Sequence, residues 1–279
     1  LIFRKNIEVQ SVFFLRGFQR SGTNWVCNLL NLHPDISCTG EFHLQEIHLT
    51  YTNILNRSKT LIGQNHKIFT SNYNTFIKNT IIEYNKNKRF VGDRTPCALD
   101  RLYLKDCKYI LIIRDGRDIV VSWIYHLFRI NHTFGEEMEN KKLIFHSNKS
   151  YFENNKKELL NNYWVKKLAV GWNNRLKRDL IMVKSKISKN QIMVIKYEDL
   201  ITNTEIIRNE MYSFLGADPY KANKLTNITK PGFKNHNANS HYRKGESNRW
   251  KLYFTKEQLR IFERYAYDSL KNNNYNLYS

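Results

Sequence analysis

Two glycines five positions apart, Gly17 and Gly22, enclose Phe18-Gln19-Arg20-Ser21, and Thr23-Asn24-Trp25 follow. A loop of this spacing turns backbone N–H groups toward an anion at a helix N-terminus, where the helix dipole favours negative charge. Glycine is needed where the chain bends sharply and must approach the anion closely. The chemistry is therefore phosphate binding. A second stretch runs Arg114-Asp115-Gly116-Arg117-Asp118-Ile119-Val120-Val121-Ser122. Its Arg114 offers paired donors to phosphate oxygens, and Ser122, about two helical turns further on, can face the same phosphate. A third, Arg243-Lys244-Gly245, adds two cations beside a glycine.

The kind of nucleotide follows from what the first loop lacks. A Walker loop continues its second glycine with Lys and then Ser or Thr; here Thr23 and Asn24 stand there. The lysine for the γ-phosphate and the hydroxyl for magnesium are both missing, and a cation, Arg20, sits inside the loop instead. That disfavours an ATPase or kinase and favours a nucleotide with a 5′-phosphate and no metal-bound triphosphate.

The elements that must carry these groups can be read from the apolar pattern. SVFFLRG (11–17) is a short apolar run ending in glycine, which predicts a buried strand. TNWVCNLLNL (23–32) has helical spacing and is stopped by His33-Pro34. YILIIR (109–114) predicts a second buried strand, followed by a helix over 117–129. Tyr163, Trp164, Leu168, Trp172, Leu176 and Leu180 define one face of a long amphipathic helix, and Trp172 is read as core. QIMVIK (191–196) predicts a third strand, Thr204–Leu215 a helix closed by Gly216, and 255–271 a last helix. The segments 71–88 and 131–155 read as polar loops. Strands alternating with helices predict an α/β fold, a single domain over 1–279 with a central parallel sheet flanked by helices, of the P-loop nucleoside-kinase-like kind.

The chain has 279 residues and a net charge of +20, which favours a polyanionic partner. Lysine and asparagine are spread throughout, so surface solvation accounts for part of that charge. Cys27, Cys38, Cys97 and Cys107 show neither zinc spacing nor the density of a disulfide scaffold. No run of about eighteen apolar residues occurs, so no membrane span is expected here. His126, His132, His146, His236 and His241 form no pair at metal spacing. Four N-x-[ST] sequons, at Asn56, Asn131, Asn148 and Asn227, are no more than this asparagine content supplies by chance.

Arg-Ser-Gly-Thr-Asn-Trp (20–25) resembles the 5′-phosphosulfate loop, K/R-S-G-T-T-W, of sulfotransferases that use 3′-phosphoadenosine 5′-phosphosulfate (PAPS). The resemblance implies that Arg20 contacts the bridging oxygen of the leaving phosphate. It implies that Ser21, Gly22, Thr23 and Asn24 cradle that phosphate and that Trp25 stacks on adenine. Asn24 replaces the usual threonine and still donates hydrogen bonds. The stretch from Arg114 to Ser122 resembles the family's 3′-phosphate segment, R-x-x-x-D-x-x-x-S. Arg243, Lys244 and Gly245, with Trp250 and Lys251 after them, resemble the R-K-G-x-x-G-x-W-K region that closes over the 3′-phosphate, although Asn248 replaces its second glycine. Tyr197-Glu198-Asp199-Leu200 is similar to the family's Y-E-D-L, which puts Tyr197 near adenine. The matches keep the family's order over nearly the whole chain.

For the proton acceptor the resemblance divides. Cytosolic members use a histidine in K-T-H before the 3′-phosphate strand; here that region reads Val-Gly-Asp-Arg-Thr-Pro (91–96). Tyrosylprotein and heparan N-sulfotransferases use a glutamate after the first helix, and HPDISCTGE (33–41) looks like the tyrosylprotein version. The expected general base is Glu41, with Asp93 and His43 as alternatives, and Arg94 is expected to stabilise charge on the departing phosphate. The expected activity is metal-independent transfer of a sulfuryl group from PAPS to a hydroxyl or amine. The acceptor stays open among a glycan, a small hydroxyl compound such as a steroid or phenol, a lipid and a protein tyrosine, bound by residues from 42–80 and 131–160. A P-loop-type kinase and a non-enzymatic polyanion binder are the rival readings, and no specific nucleic acid is expected. The cytosolic dimer pattern is half kept at Lys251 and Thr255, so that dimer is not expected. The compartment stays open between cytoplasm and Golgi lumen.

Overall fold

The computed structural model describes residues 10–57, 60–85, 87–226, 229–231 and 245–278. Five parallel strands form one sheet: β1 (Ser11–Gly17), β2 (Ile36–Thr39), β3 (Phe90–Arg94), β4 (Lys108–Ile113) and β5 (Ile192–Lys196), in the order β2-β3-β1-β4-β5. Helices fill the crossovers: α1 (Thr23–Leu30), α2 (Leu44–Leu55), α3 (Leu61–Gln64), α4 (His66–Tyr84), α5 (Gly116–Arg129), α6 (Glu136–Ser147), α7 (Tyr151–Asn154) and α8 (Asn162–Ser185). After β5 come α9 (Tyr197–Thr202), α10 (Thr204–Leu215), α11 (Trp250–Tyr253) and α12 (Lys256–Asn272). None of the described helices is long and apolar enough to cross a membrane.

The period-two geometry of a strand explains why the central runs are apolar throughout. Tyr109, Leu111 and Ile113 of β4 join Phe14 in a core with α4, α5, α8 and α12, whereas Ile110 and Ile112 join Phe13 and Leu15 against α1 and α10 on the other face. The α/β class and the strands expected at 11–17, 109–114 and 191–196 match this architecture. Two further strands, β2 and β3, are present that the apolar pattern did not show. The stretch 71–88, expected as a loop, lies mostly in α4, which buries Tyr73, Ile77 and Ile81 at a spacing of four. The second expected loop, 131–155, contains α6 and α7, with Met138 and Phe145 in the core. Tyr163, expected on the buried face of α8, is 63% exposed, while Trp164 beside it is buried.

A buried ion pair locks the middle of the sheet. Arg16 and Asp93 are both 0% exposed, and Arg16 Nη2 lies 2.8 Å from Asp93 Oδ2. Arg16 Nη1 also donates to the Asp93 carbonyl at 2.9 Å, and Thr95 Oγ1 donates to Asp93 Oδ1 at 2.7 Å. Removing one member of such a pair strands the other charge without water. Arg16→Met should therefore lower the free energy of unfolding in urea by about 3–5 kcal/mol, and adding Asp93→Leu should recover much of the loss. A cost below about 1 kcal/mol for the single substitution would show that the pair carries little of the sheet's stability.

Candidate active site

Every parallel strand ends on the same edge, and α/β folds bind ligands along that edge. Gly17, Thr39, Arg94, Ile113 and Lys196 close the five strands. The residues just beyond them open onto one cavity of about 800 Å³. Among the expected site residues, Arg20, Gly22, Thr23, Asn24, Trp25, Glu41, Arg94, Arg114, Ser122, Tyr197 and Gly245 line it together. Ser21 does not: it is 0% exposed, and its buried Oγ has no hydrogen-bond partner among the described residues. Arg243 and Lys244 lie outside the described residues.

The loop between β1 and α1 is shaped by left-handed backbone at Arg20 (φ 71°) and Gly22 (φ 103°). Gly22 caps α1, and a Cβ there would come within 2.6 Å of the Tyr197 ring. Positive φ and close approach together require glycine. Arg20 Nε donates to Ser122 Oγ at 3.1 Å, and Arg114 Nη1 donates to the Arg20 carbonyl at 3.1 Å. The loop cation, the end of β4 and the second turn of α5 thus meet at one place. Arg114 also lies over the Tyr197 ring, 4.1 Å from its centroid, and its buried Nε has no hydrogen-bond partner among the described residues. Trp25 packs edge-on to Tyr197 at 5.6 Å and donates its indole N–H to the Thr229 carbonyl at 2.8 Å.

The start of α5 is built from buried charge. Asp115, Arg117 and Asp118 are 4%, 1% and 3% exposed. Asp115 caps the helix by accepting from the Arg117 N–H at 2.9 Å and pairs with the Arg117 guanidinium at 2.8 Å. The Asp115 N–H donates to Glu198 Oε1 at 2.9 Å. Burial pushes the Asp118 carboxyl up to about 6, partly opposed by Arg114 and by the N–H groups of Trp250 and Asn248.

On the other side of the loop, Arg94 Nη1 lies 3.0 Å from Glu41 Oε1 and also donates to Asn24 Oδ1. Gly40 fits because a Cβ there would run into the Arg94 carbonyl. His43 Nε2 is 3.6 Å from Glu41 Oε2. Glu41 has a side chain 32% exposed to the cavity, whereas Asp93, the alternative base, is sealed in its pair with Arg16. Asp93 therefore has no access to an acceptor. Gln45, Glu46 and Leu49 of α2 line the far half of the cavity, as does His126 of α5. No lining residue comes from 131–160; Arg101, Arg175 and Arg178 take that side instead. Arg175 pairs with Asp179 at 2.8 Å and Arg178 with Asp100 at 2.5 Å. No local motif marked these arginines, because α8 lies far from the loops in sequence. All four cysteines are buried free thiols, and among the described residues no group of three His, Cys, Asp or Glu is placed to hold a metal.

A profile of the sulfotransferase domain matches residues 10–274. The chain belongs to the sulfotransferase domain family. A putative protein-tyrosine sulfotransferase of Caenorhabditis briggsae is 29% identical over 126 residues, covering 41% of this chain and 43% of that protein. Human protein-tyrosine sulfotransferase 1 is 30% identical over 124 residues, covering 40% of this chain and 34% of its own length. The chain therefore matches less than half the length of these relatives. A mouse sulfotransferase solved in complex with PAP gives a TM-score of 0.56 at 19% identity, covering 95% of this chain and 85% of that one. A sulfotransferase from Alicyclobacillus acidocaldarius gives 0.52 at 14% identity, covering 96% and 98%. At these identities the likeness is one of fold, and it agrees with the sulfotransferase-type α/β fold expected from the sequence.

The raised Asp118 carboxyl sets a pH dependence with a definite sign. Its native pKa, about 6, exceeds its ordinary value of 3.8, so between those values the native state holds a proton that the unfolded chain lacks. The stabilisation is complete below the lower value and is lost as pH rises through the higher one. Relative to Asp118→Asn, which cannot titrate, the wild type should gain about 2 kcal/mol of unfolding free energy between pH 7.5 and 4.5. Urea unfolding of both proteins at the two pH values checks this, and a wild type that loses ground on acidification would contradict it.

Proposed function

We propose that this member of the sulfotransferase family transfers a sulfuryl group from PAPS to a hydroxyl or amine acceptor in the cavity at the carboxyl edge of the sheet. The observation that carries the reading is the convergence of Arg20, Arg114 and Ser122 at one end of that cavity, with the Glu41–Arg94 pair beside the loop. The donor's chemistry fits the residues present. The buried Nε of Arg114, without a partner among the described residues, is a donor suited to an anion, and the Trp25 and Tyr197 rings give a purine an aromatic wall. Magnesium-free phosphate binding by arginine and loop amides agrees with Thr23 standing where a Walker lysine would be.

PAPS supplies an activated sulfuryl group whose leaving group is the 5′-phosphate of adenosine 3′,5′-bisphosphate (PAP). In the step proposed, the acceptor hydroxyl gives its proton to the Glu41 carboxylate as its oxygen bonds to sulfur. The bond from sulfur to the bridging oxygen breaks, and that electron pair stays with the phosphate. Arg94 holds Glu41 through the ion pair, while Arg20 supplies positive charge at the loop, where negative charge grows on the leaving phosphate. Arg114 and Ser122, with Arg243 and Lys244 by the family resemblance, bind the 3′-phosphate. The first acceptor to test is a tyrosyl peptide, because relatives 29–30% identical to this chain bear the name protein-tyrosine sulfotransferase.

Incubation with sulfur-labelled PAPS and a panel of tyrosyl peptides, phenols, glycans and hydroxylated lipids tests the reading. The wild type should label at least one acceptor class. Glu41→Gln should label it about 100-fold or more slowly, with PAP affinity within threefold of wild type. Labelling of nothing in the panel beyond a no-enzyme control would count against the activity, and undiminished labelling by Glu41→Gln would remove Glu41 from the role of base.

A further inference from the structure

The segment Gly245–Trp250 crosses the nucleotide end of the cavity as a strap, bonded there at four backbone atoms. Tyr197 Oη donates to the Gly245 carbonyl at 2.7 Å, and Arg114 Nη2 to the Glu246 carbonyl at 3.0 Å. Asp118 takes the other two: its Oδ2 accepts from the Asn248 N–H at 2.8 Å and its Oδ1 from the Trp250 N–H at 2.9 Å. Tyr197 and Arg114 are residues that also face the nucleotide. Asp118 has no part in the transfer step described above, yet it is a nearly sealed carboxylate that lines the same cavity.

The strap's apolar anchoring is one-sided. Trp250 is 1% exposed and sits under the Arg117 guanidinium, 3.9 Å from the ring. Glu246 and Asn248 are exposed, and Gly245 packs closely on Pro231, so before Trp250 the strap is held across the cavity mainly by polar bonds. A carboxylate accepting two N–H groups is the strongest of these attachments, because hydrogen bonds to charged groups exceed neutral ones. The strap in turn fixes Arg114. Two nitrogens of that guanidinium are engaged by the carbonyls of Arg20 and Glu246, and among the described residues Nε has no partner.

We propose that Asp118 is a positioning residue that latches the 245–250 strap over the cavity and thereby couples strap docking to nucleotide binding. The coupling rests on the PAPS reading above; the latch itself does not. Coupling between two such events is reciprocal: if the docked strap tightens PAP binding, PAP must hold the strap down by the same factor.

Hydrogen exchange of peptides covering 245–253, measured with and without PAP, tests both parts, beside calorimetric PAP affinity and steady-state kinetics. Without nucleotide, Asp118→Ala should speed exchange at Asn248 and Trp250 about tenfold or more, while Ser247→Ala, which leaves the four bonds in place, should match the wild type. Asp118→Ala should also weaken PAP and raise the KM for PAPS by roughly 10- to 100-fold, with kcat at saturating PAPS within threefold. A general packing defect would not separate KM from kcat in this way. Wild-type exchange rates in ligand-free Asp118→Ala would overturn the latch, and PAP affinity within twofold of wild type would overturn the coupling. Should Asp118→Ala fail to fold, the wild type decides alone: slowed exchange at 248 and 250 on adding PAP supports the coupled latch, and unchanged exchange overturns it. If the wild type binds no PAP, the PAPS reading fails while the ligand-free comparison still judges the latch.

Discussion

The site depends on one interaction that lies beneath it, the water-free ion pair between Arg16 of β1 and Asp93 of β3. Burying two charges costs several kcal/mol each, and only close geometry with further hydrogen bonds offsets that cost. Part of that cost is offset, since Arg16 also reaches the Asp93 carbonyl and Thr95 hydrogen-bonds the Asp93 carboxylate, although among the described residues the Arg16 Nε has no hydrogen-bond partner. The next residue along β1 is Gly17, where the phosphate loop begins, and the next along β3 is Arg94, which grips Glu41 and Asn24. The pair therefore fixes the loop that would hold the donor relative to the carboxylate that would take the acceptor's proton. Misplacing reacting groups by about 1 Å can cost 100-fold in rate. A buried cross-link between these two strand ends is thus a functional constraint as well as a structural one.

Around that frame the cavity is rich in arginine throughout. Arg20, Arg114 and Arg249 line it with Asp118 and Glu246, and the far half carries Arg94, Arg101, Arg175 and Arg178 with Glu41 and Glu46. Much of the far-side positive charge is already committed, as Arg175 and Arg178 pair with Asp179 and Asp100. The net charge of +20 that made a general polyanion binder worth weighing thus includes a share gathered in this cleft. Low-dielectric walls around such a cluster focus its field on an anionic ligand.

The cavity edge was largely legible because its parts are local. SVFFLRG and YILII carry runs of apolar residues, and the glycine loop, Arg114 and Tyr197 directly follow strands, so the fold and the residues that meet at this edge could be placed from the sequence. What escaped has physical reasons. β3 reads Phe-Val-Gly-Asp-Arg (90–94), and its buried Asp93 looks polar because its partner, Arg16, is 77 residues away. β2 has four residues, too few for a pattern. α4 exposes most of its length and buries one narrow stripe, and α6 buries the stem of Lys142 beside Met138 and Phe145, so both segments look like polar loops. Tyr163 and Trp164 are neighbours on α8, and the buried stripe there runs through Trp164 and Val165, which leaves Tyr163 outside it. The arginines of α8 and the latch at Asp118 exist only through contacts made by the fold.

The central claim is that this cleft is built for a nucleotide with a 3′-phosphate and no bound metal. The measurement that tests it most directly is calorimetric titration with PAP in the presence of a chelator, beside adenosine 5′-phosphate and ATP. The account predicts that PAP binds at least about 100-fold more tightly than either, which corresponds to roughly 2.7 kcal/mol. It also predicts that Arg114→Ala removes most of that advantage. Equal affinity for the three nucleotides, or a PAP preference untouched by Arg114→Ala, would contradict it.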